Sequence, residues 1–280
     1  MRQCHVTVSH SSQAGFTRGG LPSRMAEAEP RTPTRVVHQE DALAWLAARG
    51  VLTGCSVITS LPDASELPAL TRCAWEAWFV DAAERVMASV PRDGLAIFYQ
   101  TDTKAEGRWV DKAQLVVRAA ERTGAVLVAH RIVLRAPPGD ITRGRAGYSH
   151  LVAWAHRDAD DVRERARSEA MADVIPDAGA TTWTRGMGVA ACRAACEAVL
   201  RLTPTRAIID PFCGHGTVLA VANAMGLDAI GVELGARRAR KARTLTLAML
   251  EGPEERTSEN GEREMGECEG REQDGRSDTR

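Results

Sequence analysis

Between residues 35 and 250 the apolar positions follow two alternating patterns. Short, nearly continuous apolar runs occur at Arg35-Val-Val37, Ser56–Thr59, Leu95–Tyr99, Ala125–Leu134, His150–Trp154, Ala207–Asp210 and Ala229–Glu233. Runs such as Leu95-Ala-Ile-Phe-Tyr99 are the kind that a parallel sheet buries on both faces. Between them the spacing changes to that of helices. One helix opens at Asp41 and runs through Leu43 and Leu46, and a second carries Trp75, Trp78, Phe79, Ala82 and Val86. Two more are marked by Ala113, Val116, Val117 and Ala120, and by Cys192, Cys196, Val199 and Leu200. Aromatic residues at helical spacing read first as core packing. The stretch 158–173, with acids and arginines interleaved, predicts a solvated surface helix. Strands alternating with helices in this way predict an α/β fold around a mostly parallel sheet.

The two ends depart from this pattern. Residues 1–34 are rich in Ser, Thr, Gly and Pro without sustained periodicity, which predicts a flexible leader. Met25 offers an alternative start, which would make the first 24 residues an extension. The chain has a net charge of −1, but residues 251–280 carry eleven acids and five arginines, leaving about +5 on the rest. That final segment has too few apolar groups to offset its ordering entropy, so a disordered acidic tail is predicted. The domain itself is expected to span residues 35–250. Seven scattered cysteines show neither a CxxC pair nor a metal-ligand spacing, and predict reduced thiols in a cytoplasmic setting, with no metal. No apolar run approaches the roughly 18 residues of a membrane span, and the start lacks the apolar core of a signal peptide.

The most informative stretch is Ala207-Ile-Ile-Asp-Pro-Phe-Cys-Gly-His-Gly-Thr217, followed by the strand that ends at Glu233. It predicts a strand, a tight turn at Gly214 and Gly216, a helix and a second strand ending on an acid. That is half of a nucleotide-binding unit. The glycines let the backbone approach a ligand where a β-carbon would collide. A dinucleotide fingerprint would want Gly or Ala at 219, where this chain has Leu219, and a phosphate-cradling loop would want a Lys that the turn lacks. Both phosphate readings fail, which favours a nucleoside cofactor with Glu233 accepting the two ribose hydroxyls.

Asp210-Pro-Phe-Cys-Gly-His-Gly-Thr217 resembles the S-adenosylmethionine (SAM) loop, DPF.GSGT, of the DNA and RNA amino-methyltransferases. His215 alone departs, at a position that usually carries a small residue. The resemblance implies a cofactor loop of Asp210, Phe212, Gly214, Gly216 and Thr217, a ribose contact from Glu233, and Asp41 near the adenine. Five strands precede this motif, so the catalytic half comes first and the cofactor half last. The implied fold is a circularly permuted, seven-stranded Rossmann-like sheet with an antiparallel edge hairpin built from Ala125–Leu134 and His150–Trp154.

The family's catalytic signature follows a strand and, in its cytosine form, reads TSPPY. The matching position here is Thr59-Ser-Leu-Pro-Asp63, in which Ser60 and Pro62 keep their places. Leu61 replaces the first proline and Asp63 replaces the aromatic. An exocyclic amine is a poor nucleophile because its lone pair is delocalised into the ring. A side-chain oxygen and a backbone carbonyl accept its hydrogens and draw the nitrogen toward tetrahedral geometry, while the aromatic stacks on the base. Ser60, Pro62 and Asp63 are thus the candidate catalytic residues. Without the aromatic, Tyr99, Tyr148 or Trp183 must stack, or Asp63 binds a cationic amine instead. The plain alternative is a turn in which Asp63 or Ser65 caps the next helix.

Two basic stretches bear on partners, a loop holding Arg131, Arg135, Arg143 and Arg145, and Arg237–Arg243 on the last helix. Either could meet phosphates, or simply be solvated. Three readings remain open: methylation of an amino nitrogen on nucleic acid, methylation of a small molecule or protein, and a SAM-binding module without catalysis.

Overall fold

The computed structural model describes residues 32–252, residue 106 excepted. The predicted leader and tail, and Met25, therefore lie almost wholly outside the described residues. At the boundaries, Thr34 donates from its backbone to Asp228 Oδ1 at 2.7 Å, and Glu251 ends the last described helix and pairs with Arg193.

In chain order the elements are β1 (Arg35–His38), α1 (Ala42–Arg49), β2 (Cys55–Thr59), a 3-10 turn (Ala64–Glu66), α2 (Arg72–Ser89), β3 (Leu95–Gln100), β4 (Thr103–Ala105), β5 (Arg108–Val110), α3 (Lys112–Thr123), β6 (Val126–Leu134) and β7 (Tyr148–Ala155). They continue as α4 (Asp160–Ser168), β8 (Val174–Ile175), α5 (Val189–Leu202), β9 (Ala207–Asp210), α6 (Thr217–Ala224), β10 (Asp228–Val232), α7 (Ala236–Thr244) and α8 (Leu247–Glu251).

The large sheet runs β1-β10-β9-β2-β3-β7-β6-β8, and β7 is the one strand antiparallel to its neighbours. Its first seven members are the seven predicted strands in the permuted arrangement. The late pair β9 and β10 lies between the early strands β1 and β2. The hairpin places β7 inside, against β3, and β6 beyond it. Two short features were not predicted. The two-residue β8 extends the sheet past β6, and β4 and β5 make a separate antiparallel hairpin.

The alternation of β3 shows how the layers form. Leu95, Ile97 and Tyr99 enter a core shared with α5 and α6, and Ala96 and Phe98 enter the opposite core beneath α2 and α3. The charged stretch 158–173 keeps its helix only at Asp160–Ser168, with Val162 as its buried contact. No described helix is long and apolar enough to cross a membrane.

Candidate active site at the carboxyl edge of the sheet

In β9 and β2, Ile208 pairs with Ser56 and Ile209 with Val57, so both parallel strands deliver their following residues to one edge. Thr59 Oγ1 donates to Asp210 Oδ1 at 2.7 Å and ties the strand ends together, while Phe212 N donates to the same oxygen at 3.2 Å. Burial pushes the Asp210 carboxyl up to about 7, against the lowering effect of these two bonds.

Gly214 and Gly216 both have left-handed backbone, with φ of +54° and +87°. Around Gly214 an added Cβ would meet nothing within 4 Å, so the turn is open on the ligand side. At Gly216 the same atom would lie 2.8 Å from Ala242 Cα, because α7 packs directly behind the turn. Thr217 begins α6.

One cleft is lined by Ser60, Leu61 and Pro62 from the motif after β2, by Asp210, Phe212, Gly214 and Thr217 from the turn after β9, and by Glu233 after β10. The two motifs singled out in the sequence thus share one crevice. Glu233 is 7% exposed, and its Oε1 accepts from Gly235 N at 2.6 Å and from Arg238 Nε and Nη2 at 2.8 and 2.7 Å. Phe212 is supported edge-on by Trp78, with centroids 6.2 Å apart. Trp75, predicted as core and 2% exposed, also holds the motif, since its Nε1 donates to Pro62 O at 3.1 Å.

Three candidates lie outside the cleft lining: Gly216, which faces α7 behind the turn, Asp41 and Asp63. Asp41 is exposed and caps α1 by accepting from Ala44 N at 2.8 Å. Asp63 is buried and ion-paired with both Lys112 and Arg145. It also heads the 3-10 turn, where its backbone N donates to Glu66 Oε1 at 3.2 Å. Lys112 is 2% exposed, and burial pulls its ammonium down to about 8. Behind this pair Asp102 accepts from Lys112 N, His150 Nε2 and Trp109 Nε1, and His150 Nδ1 meets His130 Nε2 at 3.0 Å. Asp102, Asp111 and His150 have ligand-type atoms within 4.8 Å of one another, a juxtaposition with no signature in the spacing of the sequence. The hydrogen bonds to Asp102 and the cap that Asp111 gives Gln114 N already account for their placement.

The arginines of the basic loop are mostly engaged. Arg131 donates to Ala172 O at 2.6 Å, Arg135 to Thr184 O at 2.6 Å, and Arg145 is held by Asp63. Among the described residues Arg143 is exposed and makes no such bond.

Pattern reading left residues 176–188 almost blank. This strap between β8 and α5 contributes Thr182, Trp183, Arg185, Gly186 and Met187 to the cleft. His215, the residue at odds with the family motif, meets Thr182 Oγ1 at 3.0 Å and packs against the Trp183 ring. The run Thr181-Thr-Trp-Thr-Arg-Gly-Met-Gly188, dense in polar and glycine residues just before α5, was the one local signal. Glu66 also lines the cleft and was not anticipated.

No protein-family model and no curated protein matches this chain. Solved structures do. TTHA0409 of Thermus thermophilus, provisionally named a DNA modification methylase and also solved with S-adenosyl-L-methionine, aligns with a TM-score of 0.54 at 18% identity. The alignment covers 75% of this chain and 92% of that one. The PvuII DNA methyltransferase, described as cytosine-N4-specific, aligns with a TM-score of 0.55 at 16% identity, over 77% of this chain and 88% of its own. The chain has the fold of these methyltransferases.

Proposed function

We propose that this protein is a SAM-dependent methyltransferase acting on an amino nitrogen, with nucleic acid as the acceptor class. The observation that carries this reading is the single cleft in which Ser60 stands with Asp210, Gly214 and Glu233. The residues suit the cofactor. Glu233 is buried and, among the described residues, all its hydrogen bonds fall on Oε1, which leaves Oε2 for a ribose hydroxyl. Phe212 offers a braced ring for the adenine, and the open side of Gly214 admits close backbone approach. Bound there, the cofactor supplies a methyl group on a positively charged sulfur.

The chain's own part is to prepare the amine. Ser60 Oγ accepts one of its hydrogens, and Leu61 O, which accepts no other hydrogen bond among the described residues, takes the second. Trp75 occupies Pro62 O, so it fixes that carbonyl and keeps it out of the reaction. Two acceptors at fixed positions favour the tetrahedral nitrogen over the flat one, and positioning can contribute roughly 7–11 kcal/mol. Asp63 is assigned to the structure, because its two carboxylate oxygens are already taken, one by Lys112 and one by Arg145. That removes the basis for an acceptor held as a cation by Asp63. Resemblance in fold to named DNA methyltransferases supports nucleic acid as acceptor. So does Arg185 in the lining of the cleft.

The test is transfer from methyl-labelled SAM into cell extract, with products sorted by nuclease and protease sensitivity. Label that survives nuclease but not protease would reject the nucleic-acid acceptor. No transfer at all, with SAM bound, would mark a binding module.

A further inference from the structure

The family signature uses an aromatic where this chain has Asp63, and Asp63 is sealed in its ion pairs. We infer that Trp183, on the strap before α5, supplies the missing ring and stacks on a flat heteroaromatic base presented on a phosphate-bearing strand. The inference rests on the methyltransferase reading and names the group its acceptor side grips.

Three rings could have served. Tyr99 is 2% exposed, sealed in the core beneath α5. Tyr148 packs edge-on against His150 at 5.4 Å, within the network around Asp102. Neither lines the cleft. Trp183 does, and it is 39% exposed there. A core tryptophan would be covered, whereas a ring kept open at the wall of a cleft is available to a ligand. Phe212 and His215, the other rings in the lining, belong to the cofactor turn.

The strap holds Trp183 in place from both sides. Thr181 Oγ1 donates to Trp183 O at 2.8 Å, and Gly186 N donates to the same oxygen at 3.0 Å. At Gly186 an added Cβ would lie 2.7 Å from Thr181 Oγ1 and 3.0 Å from Trp183 Cδ1, so the glycine permits this close fold. Thr182 is tied to His215 on the cofactor turn, and Arg185 Nη1 donates to Ser65 Oγ at 2.9 Å beside the catalytic motif. Trp183 is therefore suspended between the two halves of the site. The Arg185 guanidinium lies over one face of the ring, 5.8 Å from its centroid, so a base stacked on the remaining open surface of Trp183 would have a cation nearby for its phosphate. A free amine without phosphate would make no use of that charge.

The experiment measures two affinities in parallel on the full chain: SAM by calorimetry, and labelled single-stranded RNA and DNA oligonucleotides by fluorescence anisotropy at low salt. Trp183→Ala should weaken oligonucleotide binding about 5- to 150-fold, the usual range for one stacked base. Trp183→Phe should restore it to within a few-fold, and both variants should keep SAM affinity within a few-fold. Near-UV circular dichroism of the Phe variant confirms that the fold is retained. Loss of SAM affinity with oligonucleotide binding intact would overturn the inference and give Trp183 to the cofactor. Unchanged binding of both ligands in Trp183→Ala would reduce the ring to packing. A wild-type protein that binds SAM but neither oligonucleotide would also overturn it, while leaving methyl transfer standing. A wild-type protein that fails to bind SAM would sink the methyltransferase reading instead, and the oligonucleotide data would still decide the role of the ring.

Discussion

Thr59 and Asp210, 151 residues apart in sequence, share a buried hydrogen bond of 2.7 Å that joins the end of β2 to the end of β9. Thr59→Val keeps the shape and removes the donor. It should destabilise the fold by about 1–3 kcal/mol, because Asp210 is left short of a partner in a buried site. Urea unfolding reads this directly, and an unchanged midpoint would show that the bond carries no net stability.

Asp210 also makes stability depend on pH. Its carboxyl is raised in the folded state, from an ordinary 3.8 to about 7. The folded protein therefore holds a proton that the unfolded chain releases. This contribution is favourable below about pH 4 and is lost as pH rises through about 7, at a cost of at most roughly 4 kcal/mol. Asp210→Asn should flatten that fall. Denaturation midpoints of both proteins at pH 5 and pH 8 test it, and parallel curves would contradict it.

Glu233→Ala should weaken SAM binding by about 10- to 150-fold, from the loss of roughly 1.5–3 kcal/mol of hydrogen bonding to the ribose. Arg238→Ala, which removes only the guanidinium on Oε1, should change affinity less than the loss of the carboxylate. Calorimetry on both folded variants separates them, and the reverse ranking would move the ribose contact to Arg238.

Ser60 and Asp63 should respond in opposite ways. Ser60→Ala is expected to keep SAM affinity within a few-fold and to lower methyl transfer on the order of a hundredfold. Asp63→Asn leaves Lys112 buried without its counter-charge, and breaking such a pair costs about 3–5 kcal/mol. Its signature is a lowered melting temperature. An Asp63→Asn protein of normal stability but without activity would return Asp63 to the chemistry.

The contrast between these two residues shows what a sequence makes legible. Strand β3 and the Gly214–Gly216 turn were readable because their signals are local, an apolar run and a pair of small residues. The place of Ser60 followed from counting strands, since the permuted order leaves it beside the Gly214–Gly216 turn. Asp63 was readable as a possible cap, and it does head the 3-10 turn, but its ion pairs were not. Its partners Lys112 and Arg145 lie 49 and 82 residues further on, and a lysine at the start of a helix carries no mark of being buried. The strap at 176–188 has no period to detect, and β4, β5 and β8 are too short to show alternation. Trp183 could be named as a ring in reserve, but only the fold distinguishes it from Tyr99 and Tyr148.

Strand β1 has a consequence for how the protein is made. Its hydrogen-bonded neighbour is β10, so Arg35 pairs with Ala229 across nearly the whole length of the domain. A chain leaving the ribosome displays β1 long before any partner exists, and β2 has only β3 on one side until β9 arrives. Contacts this distant slow folding and leave strand edges open to other chains. Strands β9 and β10, made after the other described strands, insert between β1 and β2, so a chain translated only as far as β8 holds neither the finished sheet nor the crevice at its edge.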